Sequence, residues 1–293
     1  IFFKIYSKIR NIIFSSFYGF IYPHSYINSC QIKNLKKLIT LDSDIIVKKY
    51  EIQFSKRIGH GESISYASGR MGFFELMKQL KIGEKDEVII LGSTCSVMVN
   101  AILRIKATPI YSDIDPETFG SSAEKIKHKI SSNTKLIVAQ HSFGIPCRID
   151  NIVELAQKKG IFLLEDCALT FSSSFNGINV GNFGDAALFS TDHSKPINTI
   201  LGGLIYSRDN NLIKKLRMGI DESAYLSLNK KKAIWKRFVF EKIFFVPSKY
   251  GMKNIFEPLF NLQLKILKYP SPFLNEEFGS KIVNTKYNYP SKL

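Results

Sequence analysis

An α/β fold, with three α/β/α layers around a mostly parallel central sheet, is what this sequence predicts. Two observations carry it: short apolar runs of strand length recur through the centre of the chain, and amphipathic helical patterns fall between them. The runs are Val88–Leu91, Pro109–Ile114, Leu136–Ala139, Ile161–Leu164, Ala186–Phe189 and Leu204–Tyr206. The helical patterns lie at Met71–Leu80, Val97–Lys106, Ala123–Ile130, Ile152–Lys159 and Leu212–Met218. Strands that alternate with helices pair in parallel, and the crossover helices cover both sheet faces. In such sheets a ligand sits beyond the carboxyl ends of the strands, so polar residues there are the first place to look for chemistry.

Composition bounds the rest. The chain has 293 residues, 45% of them hydrophobic and 23% charged, which excludes a disordered polymer. A chain of this length buries about three quarters of its surface on folding, enough for one large domain and part of a second. Cys30, Cys95, Cys147 and Cys167 lie far apart with no C-x-x-C spacing. That excludes a disulfide framework and a cysteine zinc site, and makes the reducing cytosol the default location. No His/Asp/Glu grouping has metal-ligand spacing, so no metal is expected.

The net charge of +16 is uneven: residues 1–60 hold 10 basic and 3 acidic groups, residues 61–210 hold 15 and 16, and residues 211–293 hold 16 and 6. A nucleic-acid-binding domain carries its charge within the fold that binds, so the neutral centre argues against one. The flanks are also aromatic, as in Phe2, Phe3, Tyr6, Phe14, Phe17, Tyr18, Phe20 and Tyr22. Basic plus aromatic points to peripheral contact with a membrane surface or to a partner protein. Residue 1 is Ile, so an incomplete product is expected. Residues 1–14 place Phe2, Ile5, Ile9, Ile12 and Ile13 on one helical face. Packing against the body, an interfacial helix and membrane insertion all remain open there, although Pro23 interrupts a spanning helix.

Three polar features fall at strand ends. Ser68-Gly69-Arg70 opens a helix, whose unpaired amides suit a phosphate. Glu165-Asp166 follows the run Ile161–Leu164, and Lys195 follows Phe189-Ser190 just before the pair Gly202-Gly203. An anion site, a carboxylate for a pyridinium nitrogen and an amine for a Schiff base together fit pyridoxal 5'-phosphate.

The spacing sharpens this reading. Ser68-Gly69-Arg70…Lys85-Asp86-Glu87-Val88-Ile89 is similar to a family pattern S-G-T…G-D-E-V-I, and Ala107–Thr118 to A-x-P-V-F-x-D-I-D-P-x-T. Gln140-His141-Ser142-Phe143-Gly144 looks like V-H-x-x-G. Glu165-Asp166-Cys167-Ala168, Gly177, Val180-Gly181, Phe183-Gly184-Asp185-Ala186-Ala187, Phe189-Ser190, Lys195 and Gly202-Gly203 follow E-D-x-A…G-x-x-V-G-x-F-G-D-A-A-x-F-S…K…G-G without insertion. Over residues 60–220 the sequence resembles the DegT/StrS-type sugar aminotransferases, of fold type I.

The resemblance implies that Lys195 bonds covalently to the cofactor and shuttles the substrate proton. It further implies that Asp166 holds the ring nitrogen protonated, that Ser190 and the backbone at Gly69 and Arg70 bind the phosphate, and that His141 lies near the cofactor, for which a hydrogen-bonded structural histidine is the equal alternative. Cys95 takes the position where the family usually stacks an aromatic on the ring, and Leu169 the position of a glutamine that contacts the ring hydroxyl. Arg70 replaces the threonine of S-G-T and is suited to pairing with the phosphate. A dehydratase on the same fold would lack the lysine, so Lys195 argues against that variant.

The chain reads as a basic aromatic segment (1–59), a cofactor-binding large domain (60–220) and a carboxyl-terminal region (221–293) that is an incomplete or divergent small domain. In that last region the apolar patterns Phe238–Val246 and Ile255–Leu267 serve either a small-domain core, a dimer contact or a membrane-facing surface. The expected activity is transfer of an amino group, with glutamate as donor, to a keto group on a nucleotide-activated sugar for surface polysaccharide or lipopolysaccharide synthesis, in a cytoplasmic homodimer. The alternative, motivated by Cys95, Leu169 and the flanks, is a catalytically weakened member that serves as a binding or membrane-associated scaffold.

Overall fold

The computed structural model describes residues 27–38, 42–221, 226–246 and 249–269. The amphipathic segment expected at residues 1–14 lies outside them. Contacts divide the chain into two compact units. Among described residues, one unit comprises 43–191 and 202–221, and the other 27–38, 42, 192–201, 226–246 and 249–269. Residues 43–58 thus group with the sheet, and residues 192–201 with the carboxyl-terminal helices.

In chain order the described elements are α1 (Ser29–Leu38), α2 (Ser43–Ile58), β1 (Glu62–Tyr66), α3 (Gly69–Gln79), β2 (Glu87–Leu91), α4 (Ser96–Arg104), β3 (Thr108–Ser112), α5 (Ala123–Lys127), β4 (Thr134–Gln140), α6 (Ile149–Lys159), β5 (Phe162–Asp166), the short β6 (Ser174–Phe175) and β7 (Ile178–Asn179), β8 (Ala186–Ser190), β9 (Gly203–Ser207), α7 (Asn210–Asp221), α8 (Leu228–Phe244) and α9 (Tyr250–Ile266). Seven strands form one sheet in the order β1-β9-β8-β5-β4-β2-β3. Only β9 runs antiparallel to its neighbours, β1 and β8. The expected mostly parallel sheet is present, and β1, β2, β4, β5 and β8 all end at one edge, where α3 and α4 begin.

Each sheet face follows from strand parity. On one face, Ile89, Ile137, Ala139 and Leu163 are buried against Ile126 of α5 and Ile149 and Ile152 of α6. Helix α2 covers the β1–β8 end of that same face, where Phe54 meets Phe189 with ring centroids 5.2 Å apart. On the other face α3 lies so close that a Cβ at Gly72 would sit 2.9 Å from the Tyr66 ring and 3.0 Å from Ile205. Helix α6 ends at Gly160, whose φ of 64° places it in the left-handed region that a glycine accepts without steric cost.

Strand β1 has no apolar run, because Ser63 and Ser65 are buried polar residues. Their partners come from α2: the backbone N–H and hydroxyl of Ser65 donate to Glu51 at 2.7 and 2.8 Å, and Ser55 donates to Ser63 at 2.9 Å. Arg217 of α7 completes the site by donating to the second Glu51 oxygen at 2.8 Å.

In the other unit, α8 and α9 pack through Ala233, Phe240, Phe245, Phe260 and Leu264. Arg237, nearly buried, donates to Glu241 at 2.7 Å and to Glu257 at 2.8 Å, which ties the two helices together. Among the described residues no helix is long and apolar enough to cross a membrane.

Candidate active site

The site is built where strand ends meet helix starts. Strand β1 leads through Ser68 into α3, and Ser190 ends β8 opposite Gly203 of β9. A Cβ on Gly203 would overlap the backbone of Gly69 and Ser68, so the start of α3 can lie against β9 only because residue 203 has no side chain. A Cβ on Gly69 would lie 3.6 Å from Ser190 Cβ and 3.4 Å from Leu188 Cδ1. The structure thus brings Gly69 and Ser190 together at a helix amino terminus, where the first amides have no acceptor within the helix.

Ser68 adds a group that the sequence did not single out. It is the N-cap of α3, yet its side chain caps no helix amide. Its Oγ is buried without a hydrogen-bond partner among the described residues. A buried hydroxyl without a partner costs free energy unless something else fills its valence, and an incoming anion with acceptor oxygens would do so. The signal was in the sequence as the serine of Ser68-Gly69-Arg70, but burial had to be seen. Arg70 follows in the first turn, partly buried.

Asp166 ends β5 beside β8. It pairs in register with Leu188, so Asp166, Leu188 and Ser190 face the same side of the sheet, the side on which α3 begins. One Asp166 oxygen accepts from the Ala168 backbone N–H at 3.0 Å, and its carbonyl accepts from the His141 N–H at 3.1 Å. An anion cradle and a carboxylate therefore share one face on adjacent strand ends. Cys95 caps α4 after β2 at the same sheet edge, and is exposed. Leu169, three residues beyond Asp166, is partly buried.

His141, read from the sequence as either a neighbour of the cofactor or a structural histidine, has partners on both ring nitrogens. Its Nδ1 accepts from the Cys147 backbone N–H at 3.1 Å, which places the ring proton on Nε2, 3.1 Å from Glu165 Oε2. Both ring nitrogens are thus used inside the protein, and the residue is buried. Glu165 is the unforeseen centre of this side: fully buried, it also accepts from the backbone N–H groups of Gly181 (2.8 Å), Phe183 (2.7 Å) and Gly184 (2.8 Å). Adjacent residues on a strand point to opposite faces, so Glu165 serves the α2/α6 side while Asp166 serves the α3 side. Glu165, His141 and Cys167 bring three ligand-type atoms within 4.8 Å of one another. The hydrogen bonds of Glu165 and His141 account for that cluster, and burial pushes the Cys167 thiol up to about 12, with His141 opposing part of the rise.

Lys195 belongs to the segment Asp192–Leu201 of the helical unit. Its N–H donates to the Asp192 carbonyl at 2.9 Å, and Asn198 three residues on donates to Glu241 of α8 at 3.3 Å. Burial alone would raise the Asp192 carboxyl, but His193 Nδ1 at 2.8 Å, the Ser194 amide and the charge of Lys195 outweigh it and hold it below the usual range.

A sequence model of the DegT/DnrJ/EryC1/StrS aminotransferase family matches residues 33–268, most of the chain. The chain belongs to this family. Among similar family proteins, the GDP-perosamine synthase of Escherichia coli O157:H7 is 37% identical over 166 residues, 57% of this chain and 46% of that protein. A UDP-N-acetyl-3-dehydro-alpha-D-glucosamine 3-aminotransferase of Acidithiobacillus ferrooxidans is 35% identical over 161 residues, 55% of this chain and 43% of the other. The solved aminotransferase of Psychrobacter cryohalolentis superposes with a TM-score of 0.65 at 26% identity, over 69% of this chain and 53% of that one. The chain spans about half the length of the curated relatives it matches.

Proposed function

We propose that the protein binds pyridoxal 5'-phosphate and transfers an amino group from an amino acid, glutamate in the simplest case, to the keto group of a nucleotide-activated sugar. The product class is an amino sugar for surface polysaccharide or lipopolysaccharide. The observation that carries the reading is the cradle at the start of α3: Gly69 against Ser190, the buried hydroxyl of Ser68 that has no partner among the described residues, and Asp166 on the same face one strand away. These residues fit a phosphorylated pyridine, since they supply a site for a dianion and a separate carboxylate for a ring nitrogen.

When bound, the cofactor supplies an electron sink for the bond broken at the substrate carbon. Ser68, Ser190 and the amides of Gly69 and Arg70 hold the phosphate, with the Arg70 guanidinium adding charge. Asp166 keeps the ring nitrogen protonated. Lys195, assigned by the motif, would hold the cofactor through its side-chain amine and would carry the proton at the substrate carbon. Cys95 stands where more ring contact would come from an aromatic, so a weaker hold on the cofactor is expected. We also propose that the cofactor-binding residues fall within 60–220 and that the protein works as a homodimer in the cytosol.

Visible absorbance of the purified protein with added pyridoxal phosphate tests the reading. A yellow band that Lys195→Ala removes, together with glutamate-dependent amination of a nucleotide-linked keto sugar, is the expected result. A colourless protein that takes up no cofactor would leave the scaffold reading in its place.

A further inference from the structure

The charge of the chain is concentrated in the unit that carries no central sheet. Among described residues, that helical unit holds 14 basic and 4 acidic side chains, against 21 and 18 in the sheet unit. Two of those acids, Glu241 and Glu257, are already paired with Arg237. Between α8 and α9 lies a groove of about 680 Å³, with Lys231, Lys232 and Lys236 beside Trp235, Val239 and Ile243. Trp235, Val239 and Ile243 recur every four residues along one face of α8 and are 48%, 38% and 42% exposed. Helix α9 presents a second row, with Met252, Phe256, Leu259 and Ile266 exposed.

We propose that this groove docks the helical unit onto the surface of an anionic lipid bilayer. Uncovered aliphatic and aromatic side chains in such number mark a surface that meets something apolar. The lysine rim decides what. A second copy of the same groove would bring lysines against lysines, so self-association through this face is opposed by charge. A nucleic acid would match the lysines but leave the Leu, Ile, Val and Met side chains facing sugar and phosphate. An anionic bilayer satisfies both sets: the apolar row enters the headgroup boundary, Trp235 lies at the interface, and the lysine stems reach along the apolar surface to the phosphates. This docking is independent of the transfer chemistry and of any two-fold pairing elsewhere on the chain.

Trp235 is the single tryptophan of the chain, so its emission reports on the groove directly. The full chain is mixed with vesicles of phosphatidylcholine alone, or with about one third phosphatidylglycerol, at rising salt. Co-sedimentation and a blue shift of Trp235 emission are expected only with the anionic vesicles, both weakening with salt. Each lysine near such a surface contributes about fivefold in partitioning, so a K231Q/K232Q/K236Q variant should bind roughly a hundredfold more weakly. Lys125, Lys127 and Lys129 of the sheet unit, replaced together by Gln, control for lost charge and should leave binding unchanged. Three results would overturn the proposal: no pelleting by the wild type, equal pelleting by the groove variant with an unchanged melting curve, or a dimer that dissociates when the groove lysines or Ile243 are replaced.

Discussion

At the scale of single residues, Glu165 and Asp166 show how one dipeptide serves two purposes. Asp166 faces the candidate cofactor side, whereas Glu165 gathers three backbone amides and a histidine on the other. A carboxylate with four donors in a buried site is a strong structural group, because any substitute leaves amides unpaired. Glu165→Gln retains the shape but offers one acceptor oxygen in place of two. A loss of about 3 kcal/mol or more is expected, read as a lower urea midpoint at an unchanged slope. Because His141 and the Gly181–Gly184 turn share this carboxylate, the same variant should loosen the ends of β4 and β5. An unchanged midpoint would mean that the four donors find other partners.

Among the elements, the α8–α9 pair depends on one buried cation. Arg237 reaches Glu241 and Glu257 and lies over the rings of Phe240 and Phe245, 5.4 and 5.1 Å from their centroids. Replacing Arg237 by Met removes the cation and leaves Glu241 buried without its counter-charge, which costs about 3–5 kcal/mol. Loss of helical circular dichroism at a lower temperature, with the sheet unit intact, is the expected outcome. Glu257 adds a pH dependence. Burial raises its carboxyl, but the hydrogen bond and charge of Arg237 and the charge of Lys253 outweigh it, so it titrates below the usual glutamate range. Its contribution is therefore complete above the ordinary glutamate value of about 4.3 and fades as the pH falls through the lower folded value. Acid titration of Glu257→Gln should lack that step, and an identical acid transition in both proteins would remove Glu257 from the account.

For the whole molecule, ligand linkage offers a measure independent of turnover. A group that binds only the folded state at about one hundred times its dissociation constant stabilises that state by about 2.7 kcal/mol. For a unit of this size that is a rise of about 5–10 °C in the melting transition of the sheet unit with pyridoxal phosphate. Asp166→Asn should reduce the rise. No shift at any concentration would argue that the cradle at α3 holds nothing.

Local patterning fixed the alternation of β2, β3, β4, β5, β8 and β9 with α3, α4, α5, α6 and α7, because apolar period and run length are properties of neighbouring residues. The motif around Ser68, Asp166 and Ser190 was legible for the same reason, since its spacing is counted along the chain. Strand β1 was not legible, because its serines are buried only by virtue of Glu51 and Ser55, which arrive from α2. Nor was the commitment of His141 to Glu165, or the unpartnered state of Ser68 Oγ, for a hydrogen-bond partner distant in sequence exists only once the strands are side by side. The basic flanks announced an apolar, cationic surface without saying which side chains would face outward. Packing of α8 on α9 decided that, because burying Phe240 and Phe260 between the two helices turns Trp235, Val239 and Ile243 outward to water.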